Sequence, residues 1–143
     1  MVTEVTGPVP APPLARAKRT ADLYEPLNLK QAYPRMITRA MAKVRDRDAY
    51  LIVGYPDGDL PEQLYFDIQT GLLVRKGTAT PTALGEYALQ TDYDDYREVG
   101  GVKIPYVVRT IGISPADGVT MQIEKVEINP QLDAGRFIKP VSK

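Results

Sequence analysis

Glu98-Val99-Gly100-Gly101-Val102-Lys103-Ile104-Pro105-Tyr106 sets two glycines between two runs of alternating residues. A type I′ turn needs positive φ at both central positions, and glycine accepts it without steric cost, so the stretch predicts a tight antiparallel hairpin. The same period of two extends outward in both directions. Downstream, Val102, Ile104, Tyr106 and Val108 share one face, and Pro115-Ala116-Asp117-Gly118 turns the chain into a strand over Val119 to Ile128. Upstream, Glu86 to Val99 forms the first arm of the hairpin, entered from a loose loop that contains Gly77, Pro81 and Gly85. Before that loop, Leu64, Phe66 and Ile68 face away from Gln63, Tyr65 and Asp67, Thr70-Gly71 turns, and Leu72 to Lys76 returns.

Further towards the N-terminus, Met36, Thr38, Ala40, Ala42 and Val44 alternate with Ile37, Arg39, Met41 and Lys43. Arg45-Asp46-Arg47-Asp48 makes a polar turn into Ala49 to Tyr55, whose two faces are both apolar, as in a central strand. Asp57-Gly58 supplies the next turn. Parity shifts across Asp94-Asp95, Arg109-Thr110 and Glu124-Lys125 each predict a β-bulge, and Pro105 places its strand at an edge or a bulge. The expected fold is mainly β (α+β): a curved antiparallel sheet of about seven strands, open or half-barrel, with one short N-terminal helix at Leu27 to Tyr33 between Pro26 and Pro34. Residues 1–22, with prolines at 8, 10, 12 and 13 and a basic cluster of Arg16, Lys18 and Arg19, read as a Pro-rich disordered tail or linker; 23–143 read as a single antiparallel β domain. Such a leader is expected of a domain that hangs off something larger.

The 143 residues are 43% apolar and 25% charged, the composition of one ordinary domain. Eighteen basic residues balance eighteen acidic ones, so the chain lacks the positive field by which proteins neutralise phosphates, and nucleic acid is not an expected partner. No apolar run approaches the roughly 20 residues of a membrane-spanning helix. With neither Cys nor His, the sequence has no thiolate nucleophile, no imidazole base, no Ser-His-Asp triad and no usual zinc or haem ligand set. No cofactor is expected, and the chain does not read as an enzyme.

A one-sided apolar sheet has to be covered. Only the segment near Leu27 to Tyr33 and the chain ends can do this, and each large apolar side chain left uncovered forgoes about 1.5–3 kcal/mol. A concave surface with too little cover favours a lipid-like ligand, a protein partner or a second copy; the plainer outcome is a sheet that closes on itself or folds over as a sandwich. The residues assigned to the ligand-facing side are Met36, Ile52, Phe66, Tyr93, Tyr106 and Met121. Nine tyrosines against two phenylalanines suit the rim of an apolar groove, although β propensity alone also accounts for them.

Two clusters have a possible catalytic or metal reading. Asp92, Asp94 and Asp95 are an acid–base candidate of hydrolase or isomerase type, but they sit in a strand without a Gly-rich loop, where a solvated face partly neutralised by Arg97 is the simpler reading. Asp57-Gly58-Asp59 resembles the opening of a metal loop and reads more simply as a turn.

Three strings have the order and spacing of a known family: Leu64-Tyr65-Phe66-Asp67-Ile68-Gln69-Thr70-Gly71-Leu72-Leu73, Thr91-Asp92-Tyr93-Asp94-Asp95-Tyr96-Arg97 and Gly101-Val102-Lys103-Ile104-Pro105-Tyr106. With Asn129 and Gly135-Arg136-Phe137-Ile138-Lys139-Pro140, they resemble the β-rich domain that follows photosynthetic-reaction-centre-type cytochrome c subunits and related secreted proteins of soil bacteria. That domain is in turn similar to the outer-membrane lipoprotein carrier and receptor proteins. The resemblance covers about Asp46 to Pro140 and implies a periplasmic or otherwise extracytoplasmic location and a concave sheet that receives acyl chains. The haem-attachment motif, a lipid-attachment cysteine and an export signal are all missing from this sequence. The expected function is therefore non-catalytic binding of a lipid or lipidated protein, or of a protein partner, on the concave sheet. The alternative is a ligand-free structural or interaction module accessory to a larger cytochrome-type or secreted protein.

Overall fold

The computed structural model describes residues 11–22, 24–112, 116 and 118–138, with the side chains of 11–13 and 82 outside that description. Seven strands form one antiparallel sheet in sequence order: β1 (Arg35–Val44), β2 (Arg47–Tyr55), β3 (Glu62–Asp67), β4 (Leu73–Thr82), β5 (Gly85–Val99), β6 (Val102–Ile111) and β7 (Val119–Gln122). β1 and β7 do not pair, so the meander stays open. The Gly100-Gly101 hairpin forms as the sequence requires, with φ of 59° and 81° and Val99 opposite Val102.

Several boundaries differ from the sequence reading. The β1–β2 turn is two residues, Arg45-Asp46, because Val44 pairs Arg47 and Arg45 takes φ 57°. The stretch from Gly77 to Gly85, expected as a loop, continues the ladder: Gly77 pairs Gln90, and Thr82 pairs Gly85. Cross-strand pairing outweighs the local turn signals there. β7 ends at Gln122, so the expected strand to Ile128 is not formed and no bulge arises at Glu124-Lys125. The Pro115–Gly118 turn lies largely outside the described residues.

Register shifts fall between Thr38 and Ala40 and between Tyr65 and Phe66, and none falls at Arg109-Thr110. At Asp94-Asp95 the register is unbroken, but Asp95 takes φ 50°. Its amide is held by the Asp94 side chain at 2.9 Å. This one left-handed residue re-aims the strand, so that Tyr93 and Tyr96 line the same cavity. β7 pairs only Val107 to Thr110, which leaves β6 a free edge at Pro105, where a missing N–H costs nothing.

The N-terminal segment is the main correction. Ala11–Thr20, placed in an extended tail by its prolines, is an α-helix (α1). Pro12 and Pro13 fall in its first turn, where their N–H groups would be unpaired anyway, and Leu14 to Arg19 are good helix formers. The single helix expected over Leu27 to Tyr33 is instead a 3-10 turn (Glu25–Leu27) and one α-helical turn, α2 (Leu29–Ala32). Together α1, the 3-10 turn and α2 form an arm across one face of the sheet. On the other face, among the described residues, a small apolar cluster forms from Val44, Ala49 and Val74 with Tyr65 against it.

Candidate functional site: an apolar cavity under an ion-paired arm

The arm is held by charge rather than by apolar packing. α1 presents Arg16 and Arg19 three residues apart, on one side of the helix. Arg16 grips Asp59 with two nitrogens, Nε to Oδ2 at 2.9 Å and Nη2 to Oδ1 at 2.7 Å, and also donates to Thr80 Oγ1 and the Ala79 carbonyl. Arg19 Nη2 donates to Glu62 Oε1 at 2.5 Å and to Asp59 Oδ2 at 3.1 Å. Lys76 Nζ lies 3.1 Å from Glu62 Oε2 and 3.4 Å from Glu25 Oε1. Three cations thus meet three carboxylates, and the Asp59 and Glu62 side chains are 0% and 1% exposed. Buried charges survive only when they are paired in this way.

Tyr33 closes the arm. Its ring is 1% exposed and lies flat on Gly54, where an added Cβ would come within 2.6 Å of Cδ1. Glycine is therefore required at position 54 for close approach, not for backbone freedom. The Tyr33 hydroxyl donates to Glu62 Oε2 at 2.5 Å. Arg19 and Lys76 flank the ring at 5.6 and 5.8 Å from its centroid. Burial, then the bond to Glu62 and the charges of Glu62 and Glu25, push the Tyr33 phenol far above its ordinary range. Burial also pushes the Asp59 carboxyl up, but hydrogen bonds from Arg16, the Leu60 amide and Arg19 outweigh it and hold the group below the usual carboxylate range.

Between the arm and the sheet is a cavity of about 400 Å³. Pro26, Leu27, Leu29 and Tyr33 line it from the arm; Leu64, Leu73, Tyr93 and Tyr96 line it from β3, β4 and β5; Val102 to Pro105 line it from β6. Its charged lining residues are Glu25, Lys76 and Lys103. Tyr96 is fixed by donating to the Leu73 carbonyl at 2.6 Å. Burial pushes the Tyr93 and Tyr96 phenols up to about 12, so both line the cavity as neutral hydroxyls at physiological pH. The volume falls in the lower part of the range of small-molecule pockets, and the lining is mainly apolar with few polar groups, which suits an alkyl chain.

Of the six ligand-facing residues read from the sequence, Tyr93 lines this cavity. Ile52 pairs Leu64, Phe66 pairs Tyr50, Met36 pairs Gly54, and Met121 pairs Val108, which pairs Tyr93. Direct cross-strand partners point to one side of a sheet, so Met36, Ile52, Phe66 and Met121 share the arm-covered face but lie beyond the cavity lining. Tyr106 is not in the lining; it is buried beneath the Arg97 guanidinium, 4.3 Å from its ring centroid. The sequence reading missed Leu64, Leu73, Tyr96 and Ile104 as lining residues, although period-two alternation carried the signal for Leu64 and Ile104. The ion pairs that join α1 to the sheet, 40 or more residues apart in sequence, left no local signal.

The three acid–base candidates read from the sequence are each paired with an arginine. Asp92 is buried and bound by Arg75, Nε to Oδ1 at 2.6 Å and Nη2 to Oδ2 at 3.0 Å. Asp94 is bound by Arg45, and Asp95 by Arg97 at 2.6 Å. The Asp95 amide and Arg45 hold Asp94 below the carboxylate range, and Arg97 does the same for Asp95. Neither is poised to be a proton donor near neutral pH. Asp59, the candidate metal ligand, spends its carboxylate on Arg16 and Arg19. No helix among the described residues is long and apolar enough to cross a membrane.

Comparison with models of known protein families and with curated protein sequences gives no match. Among solved structures, the fold is similar to that of a LolA superfamily protein from Nitrosomonas europaea, with a TM-score of 0.50 and 12% identity over 70% of this chain and 49% of that one. The chain therefore spans about half the length of that protein. At this identity the likeness is one of fold alone: an open, curved antiparallel sheet.

Proposed function

We propose that the domain is a non-catalytic carrier or receptor module that holds an acyl chain, free or as part of a lipidated partner, in the cavity between the arm and the sheet. The observation that carries this reading is the cavity itself: about 400 Å³, walled by Leu27, Leu29, Leu64, Leu73, Tyr93, Tyr96 and Ile104, under an arm fixed by ion pairs beside it. The LolA-type fold supports it, as does the sequence resemblance to lipoprotein carriers, which also points to an extracytoplasmic location and to a place behind a larger cytochrome-type or secreted protein. The volume suits one alkyl chain rather than several.

The test is solvent extraction of protein purified without detergent, followed by mass spectrometry and by displacement of a fluorescent long-chain probe. Acyl lipid is expected with the native chain and is expected to be lost from a Leu27→Glu, Val102→Glu double variant. Both positions line the cavity yet are exposed, so the fold should persist. An empty protein that also fails to bind the probe overturns the reading. One observation favours a second reading, a protein-interaction module: Val119 and Met121 of β7, and Ile128, Leu132, Phe137 and Ile138 of the segment that follows it, are all exposed.

A further inference from the structure

We infer that the occupant of this cavity is an anionic single-chain amphiphile, with a carboxylate or phosphate-monoester head placed at Lys103; this rests on the acyl-binding reading above. Of the three charged residues in the lining, Glu25 and Lys76 neutralise one another at 3.4 Å, and Lys76 is further committed to Glu62 at 3.1 Å. With Arg16, Arg19, Asp59 and Glu62 they make up a cluster that balances three cations with three carboxylates. Lys103 stands outside that balance. It is an exposed residue of β6, it lines the cavity, and among the described residues it takes part in no ion pair, not even with its cross-strand partner Glu98.

An apolar chamber whose one uncompensated ammonium among the described residues is that of Lys103 is complementary to an alkyl chain ending in an anion. The chain lies against Leu64, Leu73 and Tyr96, and the head stays wet beside Lys103, so neither the ligand charge nor the lysine is desolvated without a partner. A neutral head would leave Lys103 unused, and a cationic one would be repelled.

Four ligands with the same twelve-carbon tail separate the possibilities: laurate, dodecyl phosphate, dodecanol and dodecyltrimethylammonium, measured by calorimetry at low salt. The two anions should bind about twofold to fivefold more tightly than dodecanol, the range of a partly exposed ion pair, and the ammonium should bind most weakly. Lys103→Gln should remove that advantage and leave dodecanol unchanged, and Lys103→Glu should reverse the order towards the ammonium. Tighter binding of laurate than of dodecyl phosphate assigns the head as a carboxylate; the opposite assigns it as a phosphate. Equal affinities for all four, or an anion preference that survives Lys103→Gln, overturn the inference while leaving the acyl cavity standing. Failure of dodecanol and laurate alike to bind overturns the acyl-binding reading and this one together.

Discussion

Replacing Gly54 by alanine tests whether the arm is seated by Tyr33 or merely lies near it. The added Cβ would sit 2.6 Å from Tyr33 Cδ1, 2.9 Å from Cγ and 3.1 Å from Cε1. Carbon atoms rest at about 3.5–4.0 Å, so the ring must retreat by about 1 Å. It is pinned on its far side by the hydroxyl bond to Glu62 at 2.5 Å, and β2 is paired on both flanks and cannot yield easily. If the ring stays, overpacking costs about 1–3 kcal/mol; if it leaves, it forfeits a hydrogen bond to a charged group worth about 1.5–3 kcal/mol. Against either stands about 0.5–1 kcal/mol gained by removing a glycine from a strand interior. The net destabilisation by Gly54→Ala is therefore about 1–2 kcal/mol, read from urea denaturation followed by circular dichroism. In a Tyr33→Ala background the three ring atoms nearest the methyl group are gone, and the same substitution should be neutral or stabilise by up to about 1 kcal/mol. An equal cost in both backgrounds, or no cost with Tyr33 in place, would refute the contact.

Arg19→Met should destabilise by about 2–3 kcal/mol, less than the ~3–5 kcal/mol of a buried pair left with no partner, because Arg16 and Lys76 still reach Asp59 and Glu62; a denaturation midpoint measures it. The Asp59 pKa is lower in the folded state than the unfolded value of about 3.9, so its stabilisation is present above that pH and is lost as pH falls through the folded pKa. Hydrogen exchange should accordingly show Ala11–Thr20 losing protection in acid before the β2–β5 ladders do. At the alkaline end Tyr93 and Tyr96 titrate near 12 against about 10 unfolded, so stability falls as pH rises from 10 to 12, and their phenolate absorbance should appear together with unfolding. Gly100→Ala should cost about 1–2 kcal/mol, more than Gly101→Ala, since both have positive φ but only at Gly100 does the new Cβ meet a side chain, at Ile128 Cδ1.

Much of the sheet was legible because strands write their faces into every second residue. The alternation at Leu64 and Phe66, the glycine pair at Gly100-Gly101 and the parity change from Tyr93 to Tyr96 all correspond to features of the folded chain. What misled was punctuation taken at face value. Gly77, Pro81 and Gly85 were read as a loop, yet the partners available on β5 carry the ladder through them. Likewise the prolines near Ala11 looked like an extended tail, although the first turn of a helix is where proline costs least.

The candidate site divides along the same line. Which side chains share a face follows from period two, so the sequence placed Met36, Ile52, Phe66, Tyr93, Tyr106 and Met121 on one side of the sheet; cross-strand pairs join the other five, whereas Tyr106 packs under Arg97 outside the cavity lining. Which of them border a cavity depends on where the arm settles. That was not readable from local pattern, because a ten-residue helix is marginal alone and its position is chosen by charges far away in the chain.

The sequence by itself determined a run of antiparallel strands without thiol or imidazole chemistry, since backbone alternation, turn residues and composition are local properties, but left undecided whether the sheet is open or closed. Only the tertiary structure decided that Arg16 and Arg19 would find Asp59 and Glu62, that Tyr33 would rest on Gly54, and that an apolar cavity would remain beside them. Coulomb attraction and ring packing act between whichever groups the fold brings within a few ångströms, and separation along the chain does not encode that distance.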